Sequence, residues 1–248
     1  MTLTSSAMFA AQQGFDVRVD WGMPGLRNVA ALCPAVVLVD VLSFSTCVDI
    51  GCARGAAVLP YPHKDASAAA YAAQHRALLA GPREQGGLSL SPGSLQAVAP
   101  GARLVLPSPN GSTLARACHA PIVVAGCLRN ASAVASGVMR SSDGPVAIIA
   151  AGEQWPDGSL RVALEDLIGA GAIVHALPGS KSPEALAAEA VFLAARDHLH
   201  DKLTACASGR ELIERGYADD VRLASQFNSS SCVPRLIDGA FQWEAALR

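Results

Sequence analysis

Charged and aromatic side chains are scarce in this chain. Charged residues make up 16% and aromatic residues 5% of its 248 positions, against 51% hydrophobic. That balance excludes a disordered or fibrous chain and suits a compact α/β protein. The net charge is −2 and no lysine or arginine run occurs, so no basic patch awaits a nucleic-acid backbone. The rings are too few for a base-stacking platform. Apolar stretches break well short of the roughly 20 residues a membrane span needs. The first residues, Met1 to Ala10, lack a basic segment followed by an apolar core and do not read as a signal peptide. The seven cysteines are odd in number, and none forms a Cys-x-x-Cys pair, which argues against a zinc ribbon or a disulfide framework. They read as reduced core residues, and the chain as cytoplasmic.

Familiar phosphate motifs are missing too. There is no P-loop, no His-Glu-x-x-His and no Asp-x-Asp at a strand end. Cys47 meets its first following arginine at Arg54, one residue too late for Cys-x5-Arg.

What the chain has instead is a repeated strand–turn–helix plan. Strand-like runs lie at Asp16–Trp21, Ala35–Val41, Ala56–Tyr61, Ala77–Gly81, Arg103–Leu106, Pro121–Ala125 and Val146–Ala151. Helical patterns fall between several of them, at Ser45–Arg54, Lys64–His75, Ser112–Cys118 and Ala131–Arg140. Continuous apolar strands alternating with helices predict an α/β fold, a three-layer α/β/α sandwich around a largely parallel or mixed sheet. The C-terminal third reads as helix-rich, with Leu160–Ala176, Pro183–Lys202, Ser208–Arg215 and Asp219–Gln226. Ser182 is set to cap the second of these and Pro183 to open it. Two segments, Arg83–Ala102 and Gly152–Ser159, read as loops. No linker or repeat divides the chain, so residues 1–248 are read as one domain, with two closely packed lobes as the alternative.

The chemistry-bearing residues cluster where apolar strands give way to turns. Asp40 ends the run Ala35–Val39, where an unpartnered charge is costly. Its bland reading is a cap or a structural ion pair. Ser45 and Thr46 open the next helix, and Asn110-Gly111-Ser112-Thr113 repeats the plan after Leu104-Val105-Leu106. Asn130 marks a third such turn. Helix N-termini at these turns would face an anion such as phosphate, although capping alone accounts for many such hydroxyls. Glu153 follows the strand ending at Ala151, and Glu165 and Asp166 lie on the next helix. Neighbouring helical residues point about 100° apart, so Glu165 and Asp166 should not both face one ion unless the helix end is distorted. Asp40, Glu153 and one of that pair would form an oxygen-rich site of the kind magnesium prefers. His198 and His200 read as surface residues. Cys47, at a helix start, is a weak candidate for a thiolate nucleophile, a buried thiol being favoured.

Taken in order and spacing, these motifs resemble the 2-phosphosulfolactate phosphatase family from about Val36 to Gly239. Val39-Asp40-Val41-Leu42 with Ser45-Thr46 is similar to its Asp-Val-Leu-Arg-Ala-Thr-Thr signature. Asn110-Gly111-Ser112 resembles its Thr-Thr-Asn-Gly-Thr, and the run Asn130 to Val134 its Leu-Asn-Ala-Ser-Ala. Ala151-Gly152, Leu164-Glu165-Asp166-Leu167 and the stretch Gly169 to Ala172 resemble its Ala-Gly, Leu-Glu-Asp-Leu and Ala-Gly-Ala elements. Gly209, Leu212, Gly216-Tyr217, Asp220-Val221 and Val233-Pro234 keep a further family spacing. Three departures stand out. Ser43 replaces the family arginine, Gly81-Pro82-Arg83-Glu84 only loosely matches Gly-Glu-Arg, and Ala150 replaces a cysteine.

The resemblance implies a magnesium-dependent phosphomonoester hydrolase acting on a small anionic phosphorylated metabolite, with 2-phosphosulfolactate (to sulfolactate and phosphate) the family's substrate. Asp40 and Asn110 are then expected at the reacting centre, and Asp40, Glu153, Glu165 and Asp166 around the metal. Ser45, Thr46, Gly111, Ser112, Thr113 and Asn130 are expected around the phosphate, with Arg83 a candidate further cation. The alternative is a non-catalytic anion or metabolite binder on the same scaffold. No nucleic-acid or membrane partner is expected, and assembly as a homo-oligomer stays open.

Overall fold

The strand Ala35–Val39 is apolar at every position because both of its faces are covered. Ala35, Val37 and Val39 pack into one cluster with Val134, Ile173 and Phe192. Val36 and Leu38 pack into another with Leu26, Phe44, Val48 and Leu114. Alternate residues of a strand face opposite ways, so two helical layers must enclose the sheet. The first is built from helices Ala131–Ser141, Leu164–Ala176 and Pro183–Ala195, the second from Gly22–Asn28, Phe44–Ala53 and Gly111–Ala117. This is the expected α/β/α arrangement. The computed structural model describes residues 9–243. The segment read as lacking a signal-peptide pattern lies outside the described residues, except Phe9 and Ala10.

The strands, in chain order, are β1 (Val17–Trp21), β2 (Ala35–Val39), β3 (Ala57–Tyr61), β4 (Leu78–Leu79), β5 (Arg103–Pro107), β6 (Ile122–Gly126), β7 (Val146–Ala150), β8 (Glu153–Gln154), β9 (Leu160–Arg161), β10 (Arg235–Ile237) and β11 (Ala240–Gln242). Among the described residues nine of them form one sheet, ordered β1-β7-β2-β6-β10-β11-β3-β5-β4, while β8 and β9 pair separately. The sheet holds two parallel blocks, β1-β7-β2-β6 and β3-β5-β4. Between them stands the antiparallel hairpin β10–β11, paired to β6 only at Arg235↔Val124 and to β3 only at Phe241↔Val58. Three antiparallel steps separate β6 from β3, so the blocks run in opposite senses.

All seven expected strands are present. The C-terminal hairpin was not expected, although Ile237-Asp238-Gly239-Ala240 carries an Asp-Gly turn signal between apolar residues. Asp238 and Gly239 both take positive φ, 49° and 79°, as such a turn demands. The presumed loop at 152–159 carries the β8–β9 hairpin, so the helix expected from Leu160 begins at Leu164. The helix expected over Pro183–Lys202 breaks into Pro183–Ala195 and Leu199–Ala205 across a single tight turn. Its start is as read: Ser182 Oγ accepts from the Ala185 amide at 3.1 Å with Pro183 in the first turn. Helix Gly22–Asn28 has no counterpart among the expected helices, and the short helix Pro92–Leu95 lies within the segment expected as loop. Among the described residues no helix is long and apolar enough to cross a membrane.

Phe241 anchors the inserted hairpin, fully buried with its ring edge-on to Phe44 at 6.0 Å between centroids. Phe241→Ala is expected to cost about 3–5 kcal/mol of unfolding free energy in a denaturant titration. A loss under about 1 kcal/mol would mean that the hairpin is not integral to the core.

Candidate active site

Two parallel blocks of opposite sense meet at one carboxylate. Asp40 leaves β2 and turns back so that its Oδ1 accepts the Phe44 amide at 3.0 Å, at the head of helix Phe44–Ala53. Its Oδ2 accepts the Gly111 amide at 2.9 Å, from the turn after β5. Only glycine fits there: a Cβ on Gly111 would lie 2.3 Å from the Phe44 ring and 2.8 Å from Asp40 Oδ2. Asp166, in the first turn of helix Leu164–Ala176, ties two further exits together. Its Oδ1 accepts from the Val41 amide at 2.7 Å and its Oδ2 from Gly152 at 2.9 Å. Asn110 donates through Nδ2 to Glu153 Oε2 at 2.8 Å.

A polar cavity of about 170 Å3 opens over these turns. Asp40, Ser43, Asn110 and Glu153 line it together with Lys64, Arg83, Ser208, Glu211 and Arg215. Glu165 and Asp166 are buried and do not line this cavity. Arg83 arrives from the 83–102 segment and donates through Nη2 to Ser43 Oγ at 2.9 Å. A guanidinium therefore stands against Ser43.

Several residues expected at phosphate have their side chains engaged elsewhere. Ser45 Oγ accepts from the Asp40 amide and donates to the Leu38 carbonyl, Thr46 Oγ1 donates to the Val41 carbonyl, and Ser112 Oγ donates to the Leu106 carbonyl. All three are fully buried. Each donates to a carbonyl at or near the end of a strand. Thr113 Oγ1 donates to Pro109 and faces a neighbouring cavity. Asn130 is buried at the exit of β6, accepting from the Cys127 amide and donating to the Ala125 and Cys232 carbonyls. Cys47 is fully buried, and burial pushes its thiol well above the ordinary range, which removes it as a thiolate nucleophile. His198 lies on the surface as read, 3.9 Å from Asp201.

The reading of the sequence missed Lys64, Ser208, Glu211 and Arg215. Lys64 follows β3 in a Pro-His-Lys-Asp turn, the same position at which the other exits carry polar residues, and that parallel was the available signal. The other three come from the C-terminal helices, where only the family spacing hinted at a role.

Burial dominates the electrostatics. It raises Asp40 to about 6, with Glu165 adding repulsion and the Phe44 and Gly111 amides and Lys64 opposing it. Glu153 rises to about 7, through burial and then Asp40. Asp166 is raised well above its ordinary value by burial, Asp40 and Glu165. Lys64 is lowered, first by burial and then by Arg83. Like charges held out of water favour protons or a cation.

The donor chemistry suits magnesium, a hard cation that prefers carboxylate oxygen. Glu165 Oε2 is moreover buried without a hydrogen-bond partner. Among the described residues no three acidic, histidine or cysteine side chains converge on one point as a ready-made cage. Magnesium typically uses one or two carboxylates with water and substrate oxygens, and Asp40 and Glu153 are the carboxylates at the turn side of the cavity.

A family model described as 2-phosphosulpholactate phosphatase matches residues 25–239. The chain belongs to this family. Members of the 2-phosphosulpholactate phosphatase family similar to it include a probable 2-phosphosulfolactate phosphatase of Gloeobacter violaceus, 31% identical over 210 residues and covering 80% of this chain and 86% of its own length. Another, from Carboxydothermus hydrogenoformans with the same description, is 32% identical over 214 residues, covering 81% and 85%. A third, from Parasynechococcus marenigrum, is 32% identical over 220 residues, covering 81% and 88%.

A carboxyl whose folded pKa stands above its unfolded value stabilises the fold while protonated, and that contribution is lost as pH rises through the folded value. The window runs from 3.8 to about 6 for Asp40 and from 4.5 to about 7 for Glu153. Without divalent cations, the melting temperature is expected to fall between about pH 4 and about pH 7, and Glu153→Gln to flatten the upper part of that slope. An unchanged slope in the variant, followed by differential scanning fluorimetry, would show that Glu153 titrates in its ordinary range.

Proposed function

We propose that this protein is a magnesium-dependent phosphomonoester hydrolase that converts 2-phosphosulfolactate to sulfolactate and phosphate. The observation that carries the reading is one small cavity lined both by Asp40, Asn110 and Glu153 and by Lys64, Arg83 and Arg215. Carboxylates alone would repel a phosphate dianion, and cations alone would bind it without supplying a site for a metal. Membership of the family supports the reaction class.

Asp40 and Glu153 would hold the magnesium ion. When bound, the ion would neutralise charge on the phosphoryl oxygens and lower the pKa of a coordinated water. Asn110 restrains Glu153 through its 2.8 Å hydrogen bond. The Gly111 and Phe44 amides fix both oxygens of Asp40, so the carboxylate needs no reorganisation as charge develops. Lys64 supplies positive charge toward the non-bridging oxygens. Glu165 and Asp166 support the site from below, Asp166 through the Val41 and Gly152 amides.

Purified protein is expected to release phosphate from 2-phosphosulfolactate only with magnesium, and Asp40→Asn to lower that rate by about a hundredfold or more. Chelation of the metal should abolish turnover reversibly. Undiminished release by the variant would refute the role of Asp40. Saturable binding of the ester with no turnover would return the reading to the non-catalytic binder.

A further inference from the structure

Beside the small polar cavity lies a second one of about 300 Å3, and Lys64, Arg83 and Arg215 line both. The remaining wall of the second includes the apolar side chains of Ala68, Leu79, Leu90 and Pro107. The cations thus stand at the border between the two spaces.

Both guanidinium groups are mounted on one ring. Arg83 lies 5.4 Å and Arg215 lies 5.7 Å from the centroid of Tyr217, each within cation–π reach. Arg83 is further fixed by a buried ion pair: its Nε stands 3.3 Å from Asp220 Oδ2, with the two side chains 13% and 3% exposed. Neither atom makes a well-aligned hydrogen bond, so this contact is a charge pairing. Asp220 is itself held, its Oδ1 accepting from Ser91 Oγ at 2.5 Å and from the Gly93 amide at 3.4 Å. Arg215 is held differently. Its partners are Glu84 at 2.7 Å and Glu211 at 3.3 Å, both exposed, and exposed pairs in water are weak competitors for a guanidinium. One arginine is locked in place, and the other can exchange its solvated carboxylates for an anion in the cavity.

We propose that Arg83 and Arg215, assembled on Tyr217, form a clamp for a second anionic group of the substrate, a carboxylate or sulfonate beside the phosphorylated carbon. This makes them specificity-determining residues for an ester that carries an acid group next to its phosphate. Asp220 is the positioning residue of the clamp, acting through Arg83. The inference rests on the proposed phosphatase reading for its substrate, but its chemistry is separate. The phosphate belongs to the Asp40 end of the site, and the acid group to the guanidinium pair, whose planar forks match carboxylate and sulfonate oxygens.

The test compares esters that differ by one group. 2-Phosphoglycerate and glycerol 2-phosphate differ only in a carboxylate, and 2-phosphosulfolactate and 2-phospholactate only in a sulfonate. In Arg215→Gln, the preference for the more anionic member of at least one pair, taken as the ratio of kcat/KM values, is expected to fall roughly tenfold or more, mainly through KM. The affected pair identifies the group held, and Arg215→Lys should restore part of the preference. Calorimetric titration of the magnesium-loaded protein with sulfolactate, which has no phosphate, should show binding that weakens by a similar factor in Arg215→Gln. Equal losses on both members of both pairs would overturn the proposal, since the arginines would then be serving the phosphate itself. Failure to hydrolyse any ester would count against the phosphatase reading, while the sulfolactate titration would still decide for or against the clamp.

Discussion

The Asp40 carboxylate accepts the head of helix Phe44–Ala53 on one oxygen and the turn after β5 on the other. One buried side chain thereby joins two halves of a sheet whose strands run in opposite senses. Removing a carboxylate from water is costly unless it is hydrogen-bonded or paired, and the two amides offset only part of that cost, since the group still sits near 6. Asp166 repeats the device between the exits of β2 and β7. The scaffold of the site and its unfavourable negative charge are therefore the same atoms. Lys64, which also lines the cavity, tempers the charge on Asp40 without cancelling it.

The same economy explains the hydroxyls at the strand exits. Ser45, Thr46 and Ser112 have the residue type and position of phosphate ligands, yet each is fully buried and bonded to the main chain. The small side chains let the turns draw close, and their oxygens satisfy carbonyls where the ladder ends. Such residues shape the turns around the cavity without lining it.

The sheet was legible in the sequence to the extent that strands were continuous and apolar, as β2, β6 and β7 are. Asp40 and Asn110 were also legible, because a charge or an Asn-Gly pair ending such a run has few ordinary explanations. Of the cations that line the cavity, only Arg83 was. Arg215, Ser208 and Glu211 come from helices remote in sequence, and nothing local distinguishes them from a solvated helix face. Which hydroxyls face inward was equally hidden, since capping, back-bonding and ligand binding draw on the same residue types. The C-terminal hairpin escaped for another reason. Its strands are short, and only the Asp238-Gly239 turn marked them.

The position of that hairpin has a consequence for how the chain is made. Strands β10 and β11 sit between β6 and β3, although they are synthesised after every other strand of the sheet. Until they emerge, the nascent polypeptide carries two half-sheets with bare edges, each able to recruit a neighbouring strand from elsewhere. A chain cut short before Arg235 would hold every residue that lines the polar cavity and still expose the edges most prone to aggregate.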